Sequence, residues 1–501
     1  MSRADTTERE LTAGLFLGSS TTQAYRTAME QAHQAVTDVY LERATPYSGR
    51  SPEQLAFEDR EMLPEEGQGL TATIESVAQT VVANSVGTSH PACVAHLQCP
   101  PMIPALAAEV LISATNQSLD SWDQAPAATV LETRLIEELA DVFGYGDDAD
   151  GVFTTGGTQS NFMGLLLARN RVLDERFDHD AQVDGLPPAA DSLCILCSAD
   201  AHFTARQAAA QLGLGESAIV SIPTDEHHRL SIDALDSTLT ELADSDRQPF
   251  ALVGTAGTTD FGSIDPLAQL GARAREHDLW FHVDAAYGGA LALSDRHREK
   301  LRGIETADSI AVDFHKLFYQ PLSCGAFLLR DGTHYRYIDR NAAYLNPESD
   351  DAAHLVSKSV QTSRRFDALK PYIAFRTLGR DGFGELIDYT LDLATAVAER
   401  IEDDPAFELK HEPTLNAVVF RYRPPTDSEE AINDRIRDRL RADGTAMIAR
   451  TTIDGETCLK FTLLNPRTTV DNVEEILTAI KRHGMALSTG ERTEYTRGTK
   501  R

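Results

Sequence analysis

Lysine is scarce in this chain of 501 residues, and none precedes residue 300. The lysines are Lys300, Lys316, Lys358, Lys370, Lys410, Lys460, Lys481 and Lys500. Positive charge is short in general, with 46 Lys and Arg against 77 Asp and Glu and a net charge of −31. That balance excludes nucleic acid and anionic membrane as partners, because a phosphate-binding surface must be basic. The acidity is spread along the chain. Together with the shortage of lysine it resembles proteins of salt-loving organisms, where salt screens self-repulsion and carboxylates keep the surface hydrated.

Cysteine is also sparse, at six residues. That is too few for a disulfide scaffold in a chain of this length. Cys194 and Cys197 form a CxxC inside the apolar run LCILC. No second pair completes a zinc set, so they are expected as buried strand cysteines and no metal is expected. No stretch of about 18 apolar residues occurs, so no membrane span is expected. The N-terminal MSRADTTERE has no signal-peptide apolar core. These features point to a cytoplasmic protein.

What is present is ordinary for a globular chain: 42% hydrophobic and 25% charged residues. Residues 1–90 read as an N-terminal helical segment, with helix-spaced apolar positions in SSTTQAYRTAMEQAHQAVTDVYLERA and LTATIESVAQTVVANSV. Within residues 91–375 short apolar runs alternate with helical segments. The runs are GVFTT, SLCILCS, AIVSIP, FALVGTA, LWFHVDAA, SIAVDF and CGAFLLR. Such alternation predicts an α/β domain around a mostly parallel seven-stranded sheet covered on both faces. Residues 376–485 read as a small C-terminal α+β domain, and 486–501 as a tail.

In open α/β sheets ligands bind beyond the carboxyl ends of the strands. The residues found there are Thr154-Thr155-Gly156-Gly157-Thr158-Gln159-Ser160-Asn161, His202, Thr255, Asp284 and Lys316. The glycine turn opens a helix and suits a phosphate, although glycines at such turns also serve packing alone. It lacks the Gly-Lys-Ser/Thr ending of a Walker A loop. Asp284 at a strand end is a helix cap, a metal ligand or a cofactor anchor. Lys316 is a surface lysine or, beside His315 and after the apolar SIAVDF, a site residue. Taken together they describe a pyridoxal phosphate site. The lysine bonds the aldehyde, the aspartate keeps the pyridine nitrogen protonated, the turn holds the phosphate, and His202 stacks on the ring.

HVDAAYGG followed by DFHK resembles the group II pyridoxal-dependent decarboxylases, a branch of the fold type I enzymes. HPACVAHLQCPP, NQSLDSWDQAPAATVLE, TTGGTQSN, AHF, GTAGTTDFGSIDP and SRRFDALK follow the family's order. The resemblance implies that pyridoxal 5'-phosphate is bonded by Lys316 and paired with Asp284. It places Ala286 and His202 on the two ring faces. Gly157 and Thr158 bind the phosphate, with His315 nearby. Thr255 lies near the cofactor hydroxyl and the substrate carboxylate, and His96 lines the substrate pocket. Tyr344 matches a mobile-loop tyrosine that protonates the substrate carbon in the neighbouring subunit of a homodimer.

Glutamate and aromatic decarboxylases usually read Asn-Pro-His-Lys where this chain has Asp313-Phe314-His315-Lys316. DFHKLFYQPLSCGAFLLRD is closer to the diaminobutyrate decarboxylases. The expected reaction is therefore decarboxylation of L-2,4-diaminobutyrate to 1,3-diaminopropane and CO2. The alternatives are glutamate, aspartate or an aromatic amino acid in the same family, another fold type I chemistry such as transamination, and a non-catalytic module.

Overall fold

The computed structural model describes residues 14–56, 61–340, 353–424 and 431–489. The chain divides into two compact units. One comprises Ala95–Arg423 and Thr451–Pro466, and the other Met1–Val94, Pro424–Arg450 and Arg467–Arg501.

In the larger unit the apolar runs of the sequence become seven strands. They are β1 (Asp150–Thr154), β2 (Leu193–Ser198), β3 (Ile219–Ile222), β4 (Gln248–Thr255), β5 (Trp280–Asp284), β6 (Ser309–Asp313) and β7 (Gly325–Leu329). Their order across the sheet is β1-β7-β6-β5-β4-β2-β3. All neighbours are parallel except β7, which runs antiparallel to both β1 and β6. Both faces are covered, and side chains alternate between two cores. Phe153, Leu252, Phe281 and Val312 face one, while Val152, Val253, Trp280 and Phe327 face the other. A strand that buries both faces needs no polar alternation, so these segments read as continuous apolar runs. Cys194 and Cys197 are buried in β2, on opposite sides of the sheet.

The same unit carries the helix Leu369–Asp403, broken at Gly379 where φ is 74°. Its short antiparallel sheet has Ala417–Tyr422 flanked by Phe407–Leu409 and Glu456–Thr462. The smaller unit contains the helices Thr22–Glu42, Leu70–Val77, Ile432–Ala442 and Val470–Ser488. The last begins with a reciprocal cap between Thr469 and Asn472, and buries Val473, Ile476, Leu477 and Ile480 at helical spacing. Cys93–Val94 pairs in parallel with Met447–Ile448. Among the described residues no helix is long and apolar enough to cross a membrane.

Candidate active site

Thr154, Thr255, Asp284 and Asp313 are the last residues of β1, β4, β5 and β6. The strands therefore deliver four polar side chains to one end of the sheet, where the loops that follow complete a cavity of about 350 Å³. Gly157, Thr158, Asn161, His202, Thr255, Asp284, Ala286, Asp313, His315 and Lys316 all line it.

The turn after β1 is built for close approach. Gly156 has φ 140°, a conformation that disfavours any side chain, and a Cβ there would sit 2.9 Å from His315 Cε1. A Cβ on Gly157 would lie 3.1 Å from Ala286 Cβ and 3.3 Å from Asp313 Oδ2. The helix Gly157–Phe177 starts here, so its first amides and its dipole face the cavity and favour an anion. On the far side, Gly325 of β7 lets the turn sit against the strand, because a Cβ there would come within 2.7 Å of Gly156 Cα.

Asp284 is held from two sides. Asn161 Nδ2 donates to Oδ2 at 2.7 Å and the Ala286 N–H donates to Oδ1 at 3.1 Å. Lys316 Nζ lies 3.1 Å from Asp313 Oδ2, and His315 Nε2 is 3.5 Å from the same oxygen. His315 is fixed in turn through Nδ1, 2.8 Å from the Cys324 carbonyl oxygen. Burial lowers the pKa of His202, with Lys316 adding to the effect and Asp284 and Asp313 opposing it. Thr255 is anchored by Asp265, whose Oδ2 accepts from the Thr255 N–H at 2.8 Å. Burial pushes the Asp265 carboxyl up to about 7, against two backbone donors.

Leu97 lines the cavity, whereas its neighbour His96 is exposed and is not part of the lining. Tyr344 lies outside the described residues. Leu97, Gly257, Thr259 and Tyr287 line the cavity without having been singled out in the sequence, and Asn161 was named there with no role of its own. Asn161 stood within the quoted TTGGTQSN, but nothing in the spacing tied it to Asp284, 123 positions away.

The cavity fits pyridoxal phosphate on its own chemistry. A primary amine and a fixed carboxylate share it with a glycine cradle that a Cβ would fill. The Thr255 hydroxyl is buried with no hydrogen-bond partner among the described residues, a group that calls for a polar ligand atom. A seven-stranded sheet of this order with such a site defines a fold type I pyridoxal enzyme.

The sequence profile of the pyridoxal-dependent decarboxylase conserved domain matches residues 52–423. The chain is 43% identical to an L-2,4-diaminobutyrate decarboxylase of Rhizobium meliloti (strain 1021), over 94% of each chain. It is 39% identical to an enzyme of the same name from Acinetobacter baumannii, over 91% of this chain and 92% of that one. The glutamate decarboxylase domain of a diaminobutyrate-pyruvate transaminase and L-2,4-diaminobutyrate decarboxylase from Vibrio parahaemolyticus superposes with a TM-score of 0.88. That structure is 39% identical, with 95% of this chain and 99% of that one covered. The chain belongs to the pyridoxal-dependent amino acid decarboxylases.

A direct check of the cradle follows. Gly156→Ala forces a strained backbone or displaces His315, at about 1–3 kcal/mol. Titration of the apoenzyme with pyridoxal phosphate is expected to show binding weaker than wild type by about fivefold to 150-fold, since 1.4 kcal/mol is a factor of ten.

Proposed function

We propose that the chain decarboxylates L-2,4-diaminobutyrate to 1,3-diaminopropane and CO2. The single observation that carries this substrate is full-length similarity to two diaminobutyrate decarboxylases, at 43% and 39% identity. Two carboxylates, Asp284 and Asp313, line the cavity, and Asp313 stands where the resemblance usually puts asparagine in glutamate and aromatic decarboxylases.

When bound, the pyridoxal ring supplies a sink for the electron pair left on the substrate carbon as CO2 departs. Lys316 is the amine that bonds the cofactor aldehyde, and Asp313 gives it a counter-ion whenever that amine is free. Asp284 holds the ring nitrogen's proton. Gly157 and Thr158 would hold its phosphate and Ala286 and His202 would pack against the ring, while His315 braces the turn. Thr255 presents its hydroxyl. His202 or Tyr344 returns a proton to the substrate carbon. The resemblance gives His96 a place in the substrate pocket, and in this chain it lies exposed beside the cavity-lining Leu97.

The test is product analysis with diaminobutyrate, glutamate, aspartate and tyrosine supplied in parallel, in molar salt to suit the acidic surface. Diaminopropane from the first is the expected product. Turnover of glutamate alone would sink the substrate assignment.

The acting unit is a homodimer. The helix Ile103–Thr115 is apolar nearly all round, which is the pattern of a helix covered on every side. It buries Ala105, Ala108 and Ile112, yet Ile103, Leu106 and Leu111 are exposed on the chain by itself. Phe203, next to His202, is 64% exposed. A second copy of the chain would cover such a face. Sedimentation is expected to give twice the chain mass for wild type and a shift toward monomer for Leu111→Glu. A wild-type monomer would remove the dimer.

A further inference from the structure

Behind the cavity Asp284 and His202 are joined through one buried network. Asn161 Nδ2 donates to Asp284 Oδ2 at 2.7 Å and to Thr204 Oγ1 at 3.0 Å. Asn161 Oδ1 lies 2.9 Å from His282 Nε2, and His282 Nδ1 lies 2.8 Å from Ser309 Oγ. Ser309 Oγ in turn accepts from Trp280 Nε1 at 2.9 Å. On the other branch Thr204 Oγ1 is 2.9 Å from His202 Nδ1. Asn161, Thr204, Trp280, His282 and Ser309 are all buried, and the space bordered by Asn161, His202, Thr204, His282 and Asp284 is about 10 Å³. That space holds one water at most, so no solvent chain competes with these bonds.

The direction of every hydrogen follows from the Asp284 end. A carboxylate only accepts, so the Asn161 amide turns its Nδ2 to Asp284 Oδ2 and its Oδ1 to His282 Nε2. Both amide hydrogens are then used, on Asp284 and on Thr204. To meet Oδ1, His282 must carry hydrogen on Nε2. Burial pushes the His282 pKa down to about 4, so the ring is neutral with that one hydrogen. Its Nδ1 therefore accepts from Ser309 Oγ, which in turn accepts from Trp280 Nε1. The Thr204 hydroxyl passes its own hydrogen to His202 Nδ1. The Thr204 backbone N–H also points at His202 Nδ1, at 3.4 Å, which independently requires that nitrogen to accept. His202 is left with its hydrogen on Nε2.

We propose that Asn161, His282, Ser309 and Trp280 are positioning residues that hold Asp284 in place and lock His202 as the Nε2–H tautomer. The Asp284 carboxylate thus fixes the hydrogen positions of both histidines, through an amide hub on the helix that begins at the glycine cradle. A reversed wire would turn the Asn161 amide oxygen toward the Asp284 carboxylate. The use made of the His202 hydrogen rests on the decarboxylase reading, whereas the hydrogen positions do not.

Neutron diffraction from crystals of the holoenzyme without substrate reads the network directly. The expected map has hydrogen on Nε2 and none on Nδ1 in both His282 and His202. Hydrogen on Nδ1 of either ring overturns the proposal, whatever the substrate proves to be. The kinetic arm uses the amino acid identified by product analysis. Ser309→Ala removes the hydrogen given to His282 and is expected to lower kcat about tenfold. KM should stay within about twofold, and the visible absorbance of the bound cofactor should change. Ser309→Thr restores the hydroxyl and should recover most of kcat. Wild-type kcat and spectrum in Ser309→Ala would also overturn the proposal, and if that variant does not fold the neutron map decides alone.

Discussion

Lys316→Arg is expected to be inactive, with kcat lowered about 10⁴-fold or more, because a guanidinium cannot bond an aldehyde. The choice of arginine matters. Lys316 Nζ is the close cationic partner of Asp313, whose side chain is only 3% exposed. Lys316→Ala would leave that carboxylate with only His315 Nε2 at 3.5 Å, so a loss of activity could come from an uncompensated buried charge. Arginine keeps a positive charge beside Asp313 and removes only the chemistry. Borohydride reduction of the loaded enzyme should label Lys316 in wild type and nothing in the variant. Decarboxylation by Lys316→Arg, or a label on another of the lysines, would refute the assignment.

Asp284→Asn should have the next largest effect, about 10²–10³-fold in kcat, the size seen when one preorganised electrostatic group is removed from a reacting site. The substitution preserves shape. Its amide oxygen can still accept from one of Asn161 and the Ala286 N–H, while its NH2 faces the other donor, so a modest loss of stability is expected beside the loss in kcat. What is lost is the negative charge facing the ring nitrogen. Steady-state kinetics should therefore show most of the change in kcat, and cofactor titration should show a weaker complex. Equal losses in thermal stability and kcat, with cofactor affinity unchanged, would mean that Asp284 serves the fold alone.

The site was legible in the sequence where its residues sit next to strand ends. Asp284 closes an apolar run, Lys316 follows another by three residues, and the glycine turn follows a third. The shortage of lysine sharpened this, because few candidates remained for the amine. The seven-stranded sheet was legible for a related reason, since strands buried on both faces read as unbroken apolar runs between helices.

What the sequence did not disclose are pairings across elements. Asn161, His282, Ser309 and Trp280 come from one helix and two strands, and each reads plausibly as an ordinary core residue. His282 lies in the middle of a strand, and Trp280 faces an apolar core. Their connection depends on sheet register, with His282 aligned to Ser309 across β5 and β6, and register is not written in any local spacing. The exposure of His96 beside Leu97 is likewise a matter of which way the backbone leaves the cavity, which a motif match does not carry. The charge of −31 leaves the reaction undetermined.

The placement of β7 has a consequence for biosynthesis. In the sheet β1 pairs only with β7, which arrives 171 residues later in the chain if counted from Thr154 to Gly325, that is 325 − 154. The strand that carries the glycine cradle therefore has no place in the sheet until β7 has left the ribosome, and by then Lys316 has already been made. The phosphate end of the site thus cannot be completed during synthesis before β7 has emerged.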